Sequence, residues 1–383
     1  RNEVLYRRIL SAKGRRGCFM GRKWLSMCLA VLLLFVGARG IGFALEEMHI
    51  YYFDVGQAES TLLKGPGFTI LIDAGDRGKN DVIEHLQRLD VETIDLFVIT
   101  HPHADHIGQA TKVMKNFEVR EVWMSGYEHT TLLFEELLDA ILASNADYWE
   151  PRAGETFPFG ELKLEVLNPT ASWRDLHDSN IVIRAIYGDL AFLFTGDVER
   201  RTEQNIVGQE LPLKSQVLQL GHHGSQTSSS LDFLVAASPD VAIYSAGINN
   251  PFCHPHEEVV LRLMILEIPL YGTDLNGTIV AQTDGISYRI FRETGDPLQE
   301  TGRQHTNCPE ENGRVELNTA SFGDLQRIMH IGPARAQEII DLREDIPFRC
   351  VDDLKWVSGL GPQRIKEIKQ QGLAYIKGVM EDH

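Results

Sequence analysis

The run His101-Pro102-His103-Ala104-Asp105-His106-Ile107-Gly108 packs three imidazoles and one carboxylate into six consecutive positions. It follows directly on Asp95–Thr100, an apolar stretch that reads as a buried strand. A run of this kind is tolerated where such a strand gives way to an open turn, so that alternate side chains aim at one point. Neutral imidazole and carboxylate are the ligands that zinc, manganese and iron share. His101 and His103 can hold one ion while Asp105 and His106 serve a second beside it. A fold for this chain must therefore bring further ligands to the end of one strand.

Candidates for those ligands stand at other strand ends. Asp197 closes Phe192-Leu193-Phe194-Thr195-Gly196-Asp197, and His222-His223 close Val217-Leu218-Gln219-Leu220-Gly221. His254-Pro255-His256 follow a third strand and loop. Asp73, after Leu71-Ile72, is placed to orient a ligand histidine from behind, as carboxylates commonly do.

From Met48 onward the pattern alternates short apolar strands with amphipathic helices. Strands are expected at His49–Val55, Thr61–Lys64, Phe68–Ile72, Asp95–Thr100, Leu162–Leu167, Ile181–Tyr187, Ala191–Thr195, Val217–Leu220, Val241–Ser245, Thr278–Gln282 and Ser287–Phe291. Helices are expected at Asp81–Leu89, His106–Asn116, Leu132–Ala143, Leu231–Ala237 and Glu257–Leu266. That density predicts a layered α/β sandwich. The proposed divisions are a leader at 1–44, the sandwich at 45–293, a polar linker at 294–313 and a helical domain at 314–383.

The leader reading rests on order: basic Arg22-Lys23, an apolar run from Trp24 to Val36, then small residues up to Ala44. Met20 stands where a secretory signal would start. The run is short for a membrane span, so export to the medium or cell surface is expected, with an uncleaved anchor and membrane contact as the alternative. Of five cysteines, Cys18 and Cys28 fall in this leader. The remaining three have neither the number nor the spacing of a disulfide framework or zinc ribbon, although a Cys308–Cys350 bridge is available.

The net charge of −17 is unevenly spread: residues 1–44 carry +8 and 314–383 carry −1, which leaves −24 for 45–313. A bare surface of that sign repels a polyanion, so a nucleic-acid role requires metal ions or a separate module. The segment 314–378 offers such a module. It contains a near-repeat, His330-Ile331-Gly332-Pro333-Ala334-Arg335 and Gly359-Leu360-Gly361-Pro362-Gln363-Arg364. Backbone N–H groups at Gly332, Gly359 and Gly361, with Arg335, Arg364, Lys366 and Lys369 nearby, can hold phosphate without reading a base. Asn318-Thr319-Ala320 reads as a helix start. A plain helical interaction domain built on Ile331, Ile339, Leu354, Leu360 and Ile368 is the competing reading.

The histidine run, Leu71-Ile72-Asp73-Ala74-Gly75, Thr195-Gly196-Asp197 and His222-His223-Gly224-Ser225 together resemble the metallo-β-lactamase fold superfamily. Within it, Phe53-Asp54-Val55-Gly56-Gln57-Ala58, Gly221-His222-His223-Gly224-Ser225-Gln226-Thr227-Ser228-Ser229, His254-Pro255-His256 and Tyr271-Gly272-Thr273-Asp274-Leu275-Asn276-Gly277-Thr278 resemble the hydrolase domain of competence protein ComEC and its free-standing secreted relatives, over about 48–292. The resemblance implies a four-layer αββα sandwich with one or two divalent ions, zinc or manganese, held by His101, His103, Asp105, His106, Asp197 and a histidine of the His222-His223 pair. That superfamily usually supplies one more histidine before the bridging aspartate. Here the segment reads Leu176-His177-Asp178-Ser179-Asn180, in which His177 either restores that ligand or is a loop residue. Ala58 and Gly272 stand where the subgroup often has Gly and Arg, and the missing arginine removes an anion contact.

Leu317-Asn318-Thr319-Ala320, Ile331-Gly332-Pro333-Ala334-Arg335-Ala336, Pro347-Phe348 and Val357-Ser358-Gly359-Leu360-Gly361 similarly resemble the small all-α helix-hairpin-helix DNA-binding domain of competence protein ComEA. His330 departs from the usual glycine, and a left-handed backbone there would strain it.

The combined expectation is an exported metal-dependent phosphodiesterase acting on DNA, held nonspecifically by its phosphates. The ions would activate water and stabilise developing charge. Asp197 would bridge them, Asp105 would orient the nucleophile, and His222 or His223 would protonate the leaving oxygen. Ser225, Ser228, Asn249 and His254 are the candidate substrate contacts. Two other readings fit the same residues: a phosphoesterase for choline-phosphate or cell-wall polymers, and a DNA-capture protein with weak catalysis.

Overall fold

A computed structural model describes residues 44–170, 173, 175–302, 314–345, 347–348 and 350–376. The described residues form two compact units, one running to Ile248 and from Pro255 to Gly302, the other taking Asn249–His254 and the residues from Arg314 onward.

In the first unit two sheets stack face to face. One has eight strands in the order Tyr288–Arg292, Ile279–Thr283, Met48–Tyr52, Thr61–Gly65, Phe68–Ile72, Leu96–Val98, Glu121–Trp123 and Asp147–Trp149. The other has seven, in the order Leu270–Gly272, Val241–Tyr244, Val217–Gln219, Leu190–Phe194, Val182–Tyr187, Leu162–Asn168 and Thr156–Phe159. Period-two alternation does the sorting. Met48, Ile50 and Tyr52 point at Leu162, Leu164, Ile183 and Phe192 across the inter-sheet core. The opposite faces are covered by helices: Asp81–Arg88, Ala110–Asn116 and Leu132–Ala143 on the first sheet, Arg200–Gly208, Leu231–Ala237 and Glu257–Ile265 on the second. Fully burying one large apolar side chain contributes about 1.5–3 kcal/mol, and three such cores hold the sandwich. The architecture is the expected αββα arrangement, with strand ends meeting along one edge.

The helix expected over His106–Asn116 is broken into Ala104–Ile107 and Ala110–Asn116. Gly108 and Gln109 donate their N–H groups to Gly75 O at 2.8 Å and Ala74 O at 2.9 Å, not to the preceding turn. A Cβ at Gly108 would lie 2.1 Å from the Arg77 and Asp76 backbone, so the residue must be glycine for the two loops to meet. This contact ties the histidine loop to the end of the Phe68–Ile72 strand.

Residues 294–302, read from sequence as the start of a linker, pack on the sandwich. Thr301 is buried, donates its N–H to Leu270 O at 2.8 Å and lies 3.2 Å from the Tyr244 hydroxyl. Residues 303–313 lie outside the described residues.

The second unit packs Leu325, Ile331, Ile339, Leu354, Leu360, Ile365 and Ile368 into one small core. Its helices are Phe322–Leu325, Pro333–Asp345 and Pro362–Gln371, joined by a 3-10 turn at Val351–Trp356. A two-residue parallel pairing of Val315–Glu316 with Ala374–Tyr375 ties its ends. The first helix is capped by Ser321, whose hydroxyl accepts from Asp324 N at 3.1 Å. Asn318, expected to mark that helix start, instead exchanges two hydrogen bonds with the Phe348 backbone, at 2.8 and 2.9 Å.

The Cys308–Cys350 bridge is not formed: Cys350 is a free thiol, while Cys253 is disulfide-bonded. Cys308 lies outside the described residues.

Candidate metal centre and phosphate-binding turns

Asp73 ends its strand in the left-handed region, φ 58°. Its carboxylate accepts from Thr100 N at 2.8 Å, from Thr100 Oγ1 at 2.6 Å and from His106 Nδ1 at 2.7 Å. The last bond places the His106 proton on Nδ1 and leaves Nε2 as a ligand atom, the orienting role expected of Asp73. His223 is set in the same manner, with Nδ1 donating to Ser245 O at 2.8 Å.

The ligand atoms converge. His101 Nε2 is 3.5 Å from Asp197 Oδ2, His106 Nε2 is 3.2 Å from Asp197 Oδ1, and His223 Nε2 is 3.4 Å from Asp105 Oδ2. His103 Nδ1 lies 2.9 Å from His101 Nε2. Two atoms bound to one ion at about 2.0–2.2 Å and tetrahedral angles stand about 3.3–3.6 Å apart. The His101–Asp197 and His223–Asp105 spacings fit that geometry better than direct hydrogen bonding. His106 Nε2 and Asp197 Oδ1 are buried and make no hydrogen bond among the described residues. The residues present therefore fit divalent ions: His101, His103 and Asp197 form one group, and Asp105, His106, Asp197 and His223 form another.

Charge supports the same conclusion. Burial lowers His101 well below the ordinary histidine range and takes His103 down to about 4, so both are neutral ligands. Burial works most strongly against charge on His106 and His223, yet the carboxylates around them together outweigh it, Asp197 with Asp73 carrying His106 well up and Asp197 with Asp105 carrying His223 to about 9. Burial would raise Asp105 and Asp197, but the surrounding histidines hold both below the usual carboxylate range. The carboxylates that favour protonation of His106 and His223 make that side of the pocket negative enough to attract a cation.

His177 stands between these ligand groups and His222, its ring centroid 5.4 Å from that of His103 and 5.4 Å from that of His222. Its Nδ1 donates to Asp197 O at 3.1 Å, and it groups with Glu199 and His222. His222 and His223 are consecutive left-handed residues, φ 52° and 57°. This backbone turns His223 inward to the ligand group and leaves His222 at the mouth, its side chain 26% exposed.

Two carboxylates escaped the sequence reading. Glu199 stands two residues beyond Asp197, in a loop whose neighbours in space are not neighbours in sequence. Glu59 is buried beside Asp73 and His106, and burial pushes its carboxyl up to about 8. No local pattern marks it, since Gln57, Ser60 and Thr61 surround it in a mixed polar segment.

The expected substrate contacts divide. Ser228 is fully buried and donates to Gly221 O at 2.6 Å, so it braces the histidine turn and does not present a hydroxyl to phosphate. Ser225 is also buried, 3.1 Å from Thr227 Oγ1. Asn249 and His254 fall in the segment grouped with the second unit, where Asn250 bonds both backbone groups of His254. At Gly272 a Cβ would lie 2.0 Å from Tyr244 Cζ: the space beside that position is filled by tyrosine.

The two turns of the second unit are built alike. Arg335 donates to His330 O at 2.7 Å and Arg364 to Gly359 O at 2.7 Å, five residues apart in each case. These arginines brace their own turns as well as adding charge. His330 adopts φ 65° where Gly359 has φ 75°, so it carries the expected backbone strain, and its ring is held by Glu367. Gly332 and Gly361 have no such demand on them. Both are exposed, neither has positive φ, and an added Cβ would meet nothing within 4 Å. Gly361 is the N-cap of the Pro362–Gln371 helix, and at both positions the outer side of the turn is open to an approaching group.

Residues 53–248 match the family model of the metallo-beta-lactamase superfamily, and residues 310–371 match the helix-hairpin-helix motif. ComE operon protein 3 of Bacillus subtilis is 28% identical over 254 residues, covering 61% of this chain and 33% of that protein. Competence protein ComA of Neisseria gonorrhoeae is 31% identical over 261 residues, covering 65% and 35%. A deoxyribonuclease of Thioalkalivibrio sp. is 44% identical over 68 residues, covering 18% of each. The chain thus spans about a third of the length of the two competence proteins.

Proposed function

Because this chain belongs to the metallo-beta-lactamase superfamily, we propose that it is a metal-dependent phosphodiesterase that cleaves DNA, with the helix-hairpin-helix unit as its nonspecific DNA-binding module. The observation that carries this reading is the convergence of His101, His103, Asp105, His106, Asp197 and His223 on shared positions, in a chain that also carries the exposed turn glycines Gly332 and Gly361. Zinc or manganese bound there would supply an activated water and neutralise charge developing on phosphorus.

The chain's own residues do the rest. Asp197 lies between the two ligand groups and holds them in register. Asp73 and Ser245 fix the protons of His106 and His223 on Nδ1, so that Nε2 stays available. Asp105, held ionised and 34% exposed at its side chain, can accept a proton from the attacking water. The second unit holds the polyanion through backbone and cationic contacts, which offsets repulsion from the acidic sandwich.

Purified full-length protein is expected to cleave DNA and bis-p-nitrophenyl phosphate, to lose both activities to a chelator and to regain them with manganese or zinc. Hydrolysis of choline-phosphate esters without DNA cleavage would replace this reading with the phosphoesterase one. Retention of DNA with no cleavage under any metal would leave a capture protein.

The proposed location is outside the cytoplasm, on the strength of the basic, apolar, small-residue order up to Ala44. Residues 1–43 lie outside the described residues, and among those described no helix is long and apolar enough to cross a membrane. N-terminal sequencing of the exported product is expected to begin near Ala44; an intact leader on membrane-bound protein would indicate an anchor instead.

A further inference from the structure

We propose that His177, Glu199 and His222 form an additional divalent-cation site at the mouth of the metal centre, separate from the ions held by the inner residues. One ligand atom from each of the three lies within 4.8 Å of the others. Glu199 Oε1 and His222 Nδ1 are 3.6 Å apart, the separation of two atoms sharing one ion. The other His222 nitrogen faces Asp197 Oδ2 at 3.8 Å, so the ring stands between the outer group and the carboxylate common to the inner ones. In His177 the bond from Nδ1 to Asp197 O leaves Nε2 as the ligand atom, the same arrangement found in His106 and His223.

Two further observations point to a ligand. Glu199 occupies the N-cap position of the Arg200–Gly208 helix, yet its side chain makes no capping hydrogen bond. The carboxylate is turned toward His222 and Thr227, whose hydroxyl also lies 3.4 Å from His222 Nδ1, and away from the helix it precedes. His222 also holds a left-handed backbone, φ 52°, in a residue with a Cβ. The conformation sends two adjacent imidazoles to different partners, one to the inner group and one to Glu199.

Two imidazoles and one carboxylate form a three-ligand set suited to zinc or manganese, with a position left over for water or a phosphate oxygen. Glu199 is 32% exposed and His222 26%, so that position opens to solvent. His222, offered by the sequence as a proton donor, acts here as a ligand. The outer ion would bind more weakly than the inner ones, since it has fewer ligands and more water around it.

The test is a metal count on full-length protein, saturated by dialysis against zinc chloride and measured by elemental analysis. Wild type is expected to hold one ion more per chain than Glu199→Gln and one more than His177→Gln, while both variants keep the inner ions. A mild chelator should remove the extra ion first. Glu199→Gln keeps the side-chain size at a partly exposed position, and circular dichroism checks that it folds. Equal counts in wild type and both variants overturn the additional site while leaving the hydrolase reading intact. Loss of an ion in His177→Gln alone also overturns it, because His177 would then belong to the inner group. Protein that binds no zinc in any form would overturn the metal-dependent reading itself.

Discussion

Asp197→Asn should lower kcat on bis-p-nitrophenyl phosphate by roughly a thousandfold or more, equivalent to about 4 kcal/mol of lost transition-state stabilisation. The substitution keeps the size of the side chain and removes its charge from a position within 4 Å of His101, His106, His222 and His223. Both inner ligand groups contain Asp197, so one change weakens both. Elemental analysis should show reduced metal in the variant, and His103→Ala should show the same in milder form. Asp73→Asn provides a graded comparison. It disturbs only the partner that orients His106, and changes of that kind typically cost about 10–100-fold. Stoichiometric metal in Asp197→Asn, or equal losses in Asp73→Asn and Asp197→Asn, would contradict the shared-carboxylate arrangement.

Gly361→Val should raise the DNA concentration needed for half-maximal cleavage by about tenfold while leaving bis-p-nitrophenyl phosphate hydrolysis nearly unchanged. An added Cβ at this position meets no atom of the protein within 4 Å. The backbone, φ −79° and ψ 171°, suits a β-branched residue. Folding should therefore survive, with at most the small loss expected from changing a helix N-cap. What the side chain obstructs is the outside of the turn, where phosphate must come close to backbone N–H groups. The variant's cleavage should also depend less steeply on salt, because fewer phosphate contacts release fewer counterions. Truncation after Gly302 should reproduce the effect. A cut at 293 would be less clean, since residues 294–302 pack on the sandwich. Identical DNA dependence of wild type and Gly361→Val across a salt series would remove the coupling between the two units.

How much of this was legible in the sequence follows from the range over which each signal acts. The histidine run, the Thr195-Gly196-Asp197 turn and His222-His223 each carry their chemistry in consecutive residues, and strand alternation points to a layered α/β sandwich, whose αββα form is what the resemblance to the superfamily implies. Phe68–Ile72, Leu132–Ala143 and Leu231–Ala237 match their expected bounds because turn signals or clean helical spacing flank them. The three-residue strands Glu121–Trp123 and Asp147–Trp149 are too short to show a period, and hydrogen bonds from neighbouring strands define them. Arg200–Gly208 buries little beyond Thr202, Glu203 and Ile206, so no apolar stripe announced it. Ser228 read as a phosphate contact because sequence shows a hydroxyl but not where it donates. His177 was visible as a ligand type, but its grouping with Glu199 depends on a loop returning beside the Asp197 turn, which no local pattern encodes.

The filled space at Gly272 constrains how this chain can diverge from its relatives. Tyr244 occupies the volume that any side chain at position 272 would enter, and its hydroxyl lies beside Thr301, in the stretch that leaves the sandwich. An arginine cannot be introduced at 272 by one tolerated step, because its Cβ would overlap the tyrosine ring. Tyr244 would have to shrink and the Asp274 carboxylate, 2.3 Å from the same Cβ position, would have to move, and the first of these changes would take the hydroxyl away from Thr301. Positions 244, 272, 274 and 301 are therefore coupled through one filled volume, and a substitution at any of them is felt by the others.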